Sequence, residues 1–307
     1  FGWVDIPGEL DHMFEMVRIA HGADEEIFQQ KPLLGVSVNP LSPLVYDQSP
    51  CETLIAFARR RQPVKVLTCA MSGVTAPVRL MGTVLLQNTE ILAGLVLTQL
   101  VNPGTPFIYS PASAVPNMRR AAYIGGSPES NLINIAGIQL ADELYDLPTR
   151  AMAALTDAKR VDCQAGFETM QNLFMLLASG VNMVNECLGI LDSIMTVSFE
   201  KFILDEEMLS RLLTIEKGMD TSEAALSVDA IKQVGHGGSF LVLPETVQHC
   251  RDAWQPTVSH WGSYDQWEAE GRLLAVEQAH KVYQERLAAC PDTVLPPDIE
   301  ADLQRYV

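Results

Sequence analysis

Positive charge is scarce in this sequence. Lys and Arg number 21 against 38 Asp and Glu, a formal net charge of −17 over 307 residues. A surface of that sign repels phosphate, so nucleic acid is not an expected partner. The six cysteines, Cys51, Cys69, Cys163, Cys187, Cys250 and Cys290, are scattered and form no C-x-x-C pair. That spacing fits neither a zinc site nor a dense disulfide framework; it predicts no tightly bound metal and a reducing, cytoplasmic setting. No G-x-G-x-x-G or G-x-x-x-x-G-K-S/T occurs, which removes the usual phosphate loop of a doubly wound sheet. The opening FGWVDIPGELDH puts Asp5, Glu9 and Asp11 where a secretory signal needs a basic and then an apolar segment. No such signal is expected, and a first residue other than Met suggests a start inside a longer chain. Long apolar runs are few as well. Val78 to Val101 is the stretch that raises a membrane question, but Arg79, Gln87, Asn88, Glu90 and Gln99 interrupt it. Each is costly in hydrocarbon, so the expectation is a buried helix of a soluble protein with no membrane partner.

What the sequence does have is 48% hydrophobic residues and a unit that recurs five times. Each unit is a short apolar run, a polar or Gly-containing loop, and a long amphipathic helix. The runs are LLGVSV at 33–38, VKVLTC at 64–69, PFIYS at 106–110, RAMAAL at 150–155 and NMVNEC at 182–187. They are too short for helices and fit strands buried on both faces. Helices are expected at about 9–21, from an N-cap at Ser49 with Pro50 at the first helical position to about Arg61, and at about 78–101, 128–145 and 162–179. The alternation argues for βα crossovers and a parallel sheet. Without a phosphate loop, a (β/α)₈ TIM-type barrel is favoured, lacking about three N-terminal units in this chain. After Leu188 the pattern is helical to about Val234, irregular from Gly235 to Gly271, and helical again at about 272–289. The expected division is 1–200 for the later barrel units and 201–307 for a mainly helical C-terminal extension packed on them.

In such a barrel the site is built from polar groups just past each strand. Those are Asn39 and Ser42; Met71, Ser72 and Thr75; Tyr109, Ser110 and Ser113; Thr156, Asp157, Lys159 and Asp162; and Asn185 and Glu186. Only T-D-A-K-R-V-D at 156–162 concentrates charge. Each has a structural reading too. Asp157 or Asp162 serves equally as a helix cap, Tyr109 as core with a satisfied hydroxyl, and Lys159 as a surface group instead of a Schiff-base lysine. Cys69 and Cys163 flank the expected mouth with no histidine nearby in sequence and read as small buried hydrophobes. The histidines, at 12, 21, 236, 249, 260 and 280, avoid all five strand ends, which disfavours a His-based metal or acid/base centre. Gly126-Ser127-Pro128-Glu129 reads as an ordinary helix start and Gly235-His236-Gly237-Gly238 as a turn.

The loop segments resemble a known family. MSGVTAPVRLMGTVLLQNTEILAGLVLTQLVNPGTPFIY at 71–109 is similar to the trimethylamine methyltransferase family, whose members use corrinoid proteins as methyl acceptors. The likeness continues in N-M-R at 117–119, T-D-A-K-x-x-D-x-Q-A-G-x-E at 156–168, F-E-K-F-I-L-D-E-E at 199–207, V-G-H-G-G-S-F-L at 234–241 and Y-D-Q-W at 264–267. It implies a TIM-type barrel that binds a methylated amine in its mouth and presents an N-methyl group to the cobalt of a partner corrinoid protein. Cobalamin would come with that partner, in keeping with the lack of a D-x-H-x-x-G motif here. Family members are longer at the N-terminus, and those specific for trimethylamine carry pyrrolysine near the mouth. Only ordinary residues stand at 156–168, so the resemblance points to the branch that demethylates quaternary amines such as glycine betaine, proline betaine or carnitine. A quaternary ammonium leaves as a neutral amine, so positioning is the protein's main task. The resemblance and loop positions make Tyr109, Asp157 and Glu186 the expected cation contacts. Arg119, Lys159, Ser72 or Asn39 are the expected partners of a betaine carboxylate. Ser110, Asp162, Gln164 and His236 are expected to face the corrinoid. The apolar helices suit packing into a homo-oligomer as well as packing on a barrel. The rival readings are a non-catalytic barrel relative that binds a methylated amine or acts as a scaffold, and a Schiff-base lyase or aldolase using Lys159.

Overall fold

Short parallel strands alternate with helices along the first two-thirds of the chain. The computed structural model describes residues 7–22, 24–120 and 122–307; the first six residues, including Asp5, lie outside the described residues, as do Ala23 and Ala121. In chain order the elements are α1 Leu10–Ala20, α2 Ile27–Gln30, β1 Val36–Val38, α3 Gln48–Arg59, β2 Val64–Thr68, α4 Leu80–Val101, β3 Phe107–Pro111, β4 Pro116–Asn117, β5 Ala122–Tyr123, α5 Pro128–Tyr145 and β6 Arg150–Met152. There follow α6 Cys163–Ala178, β7 Met183–Asn185, β8 Ile190–Leu191, β9 Thr196–Val197, α7 Phe199–Glu216, α8 Val228–Val234, α9 Pro244–His249, α10 Tyr264–Ala269, α11 Ala275–Ala288 and α12 Pro297–Tyr306. All five apolar runs contain a strand.

β1, β2 and β3 pair in parallel, with Val36 opposite Val64 and Val64 opposite Phe107. β6 and β7 pair in parallel, Arg150 opposite Met183. The two groups meet where the Tyr109 N–H donates to the Pro148 carbonyl at 2.8 Å. The result is a mixed α/β fold around a five-strand parallel run, and no pairing among the described residues closes that run into a barrel.

Strand alternation sorts the side chains. Val64, Val66, Phe107 and Tyr109 join Leu54, Phe57 and Ile91 in the core between sheet and helices. Ala151 packs outward on Leu173 and Leu176 of α6. On the other face Leu67, Met152 and Leu155 form a small cluster beneath the loops, and Lys65 and Arg150 share that face by period-two alternation.

Caps explain several helix starts. Ser127 accepts from the Ser130 N–H with Pro128 in the first turn, and Asp162 accepts from the Ala165 N–H. α3 differs from expectation: Asp47 occupies the N-cap position, so Ser49-Pro50 lies inside the first turn, where a proline's missing N–H has no intrahelical partner to lose. α4, expected as a buried helix, is buried on one face only. Gln87, Glu90 and Ile91 turn inward, Glu90 accepting from the Ser42 hydroxyl and the Leu44 N–H at 2.8 Å each, while Met81, Leu85, Val96 and Leu100 are exposed. Among the described residues α4 is the helix long and apolar enough to cross a membrane. The expected boundary at 200/201 falls inside α7, which packs on both α6 and α11. α12, not expected from the sequence, returns to α1, where its Tyr306 hydroxyl meets His12 Nδ1 at 2.7 Å.

Candidate functional site

Past the carboxyl ends of the strands, the loops after β3, β6 and β7 converge on a cavity of about 550 Å³. Asn117, Arg120 and Tyr123 line it from the β4–β5 hairpin, Asp157, Lys159, Gln164 and Glu168 from the loop and helix after β6, and Asp192, Ser193 and Met195 from the β8–β9 turn.

Two carboxylates tie this mouth together. Asp157 accepts from the Gly126 N–H at 2.9 Å and from the Ser193 hydroxyl. Glu168, one helical turn beyond the Gln164 amide it accepts at 2.9 Å, also takes the Thr156 hydroxyl at 2.5 Å and the Asp157 N–H at 2.8 Å. A Cβ on Gly126 would stand 2.6 Å from the Glu168 carboxyl carbon, so a side chain there would push that carboxylate off its partners. Left-handed backbone occurs just past two strands, at Ala154 (φ 57°) and Glu186 (φ 48°), the kind of strained position that clusters at functional sites.

Below the mouth the inner sheet face carries charge. Arg150 is 1% exposed; its Nε donates to Asn185 Oδ1 at 3.1 Å and its Nη2 is ion-paired with Glu186. Arg150 Nη1 is buried with no hydrogen-bond partner among the described residues. Lys65 Nζ lies 3.4 Å from the same Asn185 oxygen. Burial, and then the neighbouring Arg150 charge, bring the Lys65 amine down to about 8. Burial lowers the Arg150 pKa too, opposed by Glu186. Tyr123 links floor and rim: its hydroxyl donates to the Ala112 carbonyl at 3.3 Å. Burial pushes that phenol up, and it senses Cys69, Arg150, Asp157 and Glu186.

Of the residues singled out from the sequence, Asp157, Lys159 and Gln164 line the cavity, and Glu186, outside the lining, is ion-paired with Arg150. Ser110 is buried and donates to the Arg150 carbonyl at 3.5 Å. Asp162 is the α6 cap. Tyr109 faces the helices instead of the mouth, its hydroxyl on Asn88 Oδ1 at 3.0 Å. Ser72 donates to the carbonyls of Pro77 and Val78 at 3.3 and 3.0 Å. Asn39 is half-buried, its side-chain oxygen without a partner among the described residues. Arg119 is exposed on the β4–β5 hairpin, and His236 is exposed after α8, outside the cavity lining. Lys159 is 69% exposed and paired with Asp192, unlike the desolvated setting of a Schiff-base amine. Cys69 and Cys163 are exposed, not buried: one follows β2 at the mouth, the other opens α6. The protein crowded around Cys69 still pushes its thiol up to about 11, leaving it a poor nucleophile. Lys65, Arg150, Tyr123 and Glu168 were not among the candidates. For the first two the signal was present as a lone cation inside an apolar strand run, VKVLTC and RAMAAL. Among the described residues no three His, Cys, Asp or Glu side chains gather as a metal site.

A mouth of this kind on parallel strands defines a mixed α/β protein with a candidate ligand site. The description "Trimethylamine methyltransferase (MTTB)" matches residues 1–307, and the chain belongs to that family. It is 40% identical over 294 residues to the glycine betaine methyltransferase of Desulfitobacterium hafniense (strain Y51), covering 95% of this chain and 61% of that protein. It is 33% identical over 308 residues to a trimethylamine methyltransferase MttB of Methanosarcina barkeri (strain Fusaro / DSM 804), covering 100% of this chain and 62% of that one. A proline betaine:corrinoid methyltransferase of Eubacterium limosum is 38% identical over 226 residues, 73% of this chain and 46% of the relative. The chain thus spans about three fifths of the length of the first two of these curated relatives.

Proposed function

We propose that the protein containing this chain moves a methyl group from a betaine-type quaternary amine to the Co(I) of a corrinoid protein, the five strands being the later units of a TIM-type barrel. The relatives that act on betaines support the substrate class. The observation that carries it is the buried Arg150 Nη1, without a partner among the described residues, on the strand that leads into a mouth lined by Tyr123, Asp157 and Glu168; Arg150 itself is outside that lining. A cationic floor and an anionic wall match a zwitterion: carboxylate down on Arg150 and Lys65, ammonium up against the Tyr123 ring and the two carboxylates. Arg150 takes the role first expected of Arg119, Lys159, Ser72 or Asn39, and Tyr123 that of Tyr109. The acceptor's Co(I) supplies the nucleophile. A cavity of about 550 Å³ suits a betaine and is too small to enclose a corrin ring as well, so the acceptor meets the site at its rim, by Asn117, Arg120, Gln164 and Met195. This chain's residues bind the zwitterion, hold one N-methyl toward that opening and keep water from the floor. The leaving amine is neutral and needs no proton.

The test is to mix the full-length protein with cob(I)alamin and, in turn, glycine betaine, proline betaine, carnitine, choline and trimethylamine, following the cobalt spectrum. Methylcobalamin is expected with one carboxylate-bearing amine, and Arg150→Lys should raise its KM about tenfold or more, about 1.4 kcal/mol per tenfold. Binding of a betaine without methyl transfer would favour the non-catalytic reading; transfer from choline or trimethylamine in preference to every betaine would overturn the assigned floor.

A further inference from the structure

Three consecutive residues of the β8–β9 turn, none of them glycine, have left-handed backbone: Asp192 (φ 51°), Ser193 (φ 50°) and Ile194 (φ 71°). The conformation is costly, most of all for the β-branched Ile194, and persists only where the surroundings enforce it. Here the Asp192 and Ser193 N–H groups donate to the Ala158 and Thr156 carbonyls at 2.9 Å each, Asp192 pairs with Lys159, and the Ser193 hydroxyl donates to Asp157. The turn is thereby clasped to the loop after β6. What the clasp delivers to the mouth is one hydroxyl on one carboxylate.

With that bond in place, every oxygen of the two wall carboxylates takes a donor from the protein. Asp157 Oδ1 accepts from the Ser193 hydroxyl and Oδ2 from the Gly126 N–H. Glu168 Oε1 accepts from the Gln164 amide, and Oε2 from the Thr156 hydroxyl and the Asp157 N–H. Asp192, the third carboxylate of the lining, is the one paired with Lys159. Such bonds leave the negative charge where it is but use up lone pairs through which an oxygen accepts again. A quaternary nitrogen needs only the charge; a nitrogen that carries a proton needs an acceptor as well.

We infer that Ser193 is a specificity-determining residue: by occupying Asp157 it makes the wall a site for a nitrogen with four carbon substituents and a poor one for an amine bearing N–H, the reaction's own product included. The inference rests on the betaine reading given above. Methyl transfer breaks a C–N bond whose electron pair stays on nitrogen, while the methyl carbon bonds to the acceptor's cobalt through the pair that Co(I) brings. A tertiary amine is left. Uncharged, it has lost its attraction to the wall; once it takes a proton from water, it carries an N–H that meets only engaged acceptors. Both forms are held less tightly than the substrate, so the site empties after each turnover. The backbone strain of the turn maintains that bias, because it keeps the hydroxyl on Asp157.

The experiment is calorimetric titration of the full-length protein at pH 7 with glycine betaine and with N,N-dimethylglycine, which have the same net charge and differ by one methyl against one proton. The missing methyl accounts for about fourfold in Kd. An N–H without a free acceptor adds about tenfold or more, so wild type should bind dimethylglycine at least about fortyfold more weakly than betaine. Ser193→Ala frees an Asp157 oxygen and should narrow the gap toward about fourfold, with dimethylglycine becoming an effective product inhibitor. Ser193→Gly should do the same, and its residue suits left-handed backbone, so it decides the matter if the alanine variant does not fold. A wild-type gap of about fourfold or less, or variants that weaken both ligands in equal proportion, would overturn the inference alone and leave Ser193 a clasp. A wild type that binds no betaine would overturn the betaine reading and this inference with it.

Discussion

Lys65 is the residue whose chemistry depends most on its surroundings. On a solvated loop its amine stays charged through any ordinary pH; buried beside Arg150 it comes down to about 8. The folded-state value lies below the unfolded one, so holding this ammonium inside costs stability at pH below about 8, and the cost fades as pH rises from there toward the ordinary lysine value. Binding follows the opposite course. Above about pH 8 the floor loses one of its positive charges, so the Kd for glycine betaine should rise with pH while that for choline, which has no carboxylate, stays flat. Calorimetric titration of both ligands from pH 7 to 9.5 checks this, and a parallel rise for choline would remove Lys65 from the carboxylate site. Lys65 was legible in the sequence as a cation inside VKVLTC; which face of the strand it took was not, because both faces of β2 are buried and period two then gives no inside or outside. Tyr109 shows the same ambiguity resolved the other way, toward the helices.

At the scale of elements, α7 fixes the mouth from behind. Lys201 and Asp205, one turn apart on it, form a buried ion pair at 2.6 Å. Asp205 accepts from the Gly189 N–H at 2.8 Å, and Lys201 reaches the Ala154 carbonyl at 3.4 Å. The pair therefore holds the chain just past β6 and just past β7, where the backbone is left-handed at Ala154 and Gly189. Burial pushes the Asp205 carboxyl up to about 6 despite its lysine. Asp205→Asn should lower stability by about 3–5 kcal/mol, because it strands a buried ammonium; urea unfolding of the full-length protein reads it. A loss within 0.5 kcal/mol would mean that water reaches the pair. F-E-K-F-I-L-D-E-E lies in the stretch expected to be helical, but i, i+4 spacing alone does not tell a buried Lys–Asp pair from an exposed one.

On the scale of the whole molecule, the irregular segment at 254–261 is fastened to α7 through Glu207. Its carboxylate accepts the N–H groups of Thr257, Val258 and Ser259 at 2.8, 2.6 and 3.2 Å, and it pairs with Arg211 at 2.8 Å. Arg211 in turn lies over the Trp254 ring at 4.4 Å. Burial alone would raise the Glu207 pKa, but the Ser259 and Val258 bonds and Arg211 bring it down to about 2. A carboxyl depressed in the folded state stabilises above its unfolded value, near 4.5, and loses that contribution as pH falls toward 2. Tryptophan fluorescence should therefore change between pH 4.5 and 2 as the segment around Trp254 and Trp261 lets go. Glu207→Gln should show the released signal already at pH 7; an acid transition identical in wild type and variant would assign it elsewhere.

The sequence by itself determined the order of the five parallel strands and the helices between them, since strands buried on both faces read as short apolar runs. It also carried the family resemblance, because long loop segments in fixed order leave a pattern that one strand cannot. Only tertiary structure decided which side chains gather in and around the mouth. Arg150, Glu186, Tyr123 and Glu168 come from four separate segments, and their contacts depend on strand register and face, which neither composition nor spacing specifies. It also decided the ends: α12 is too polar to announce itself and is held by its contact with α1, an interaction between residues nearly the whole chain apart.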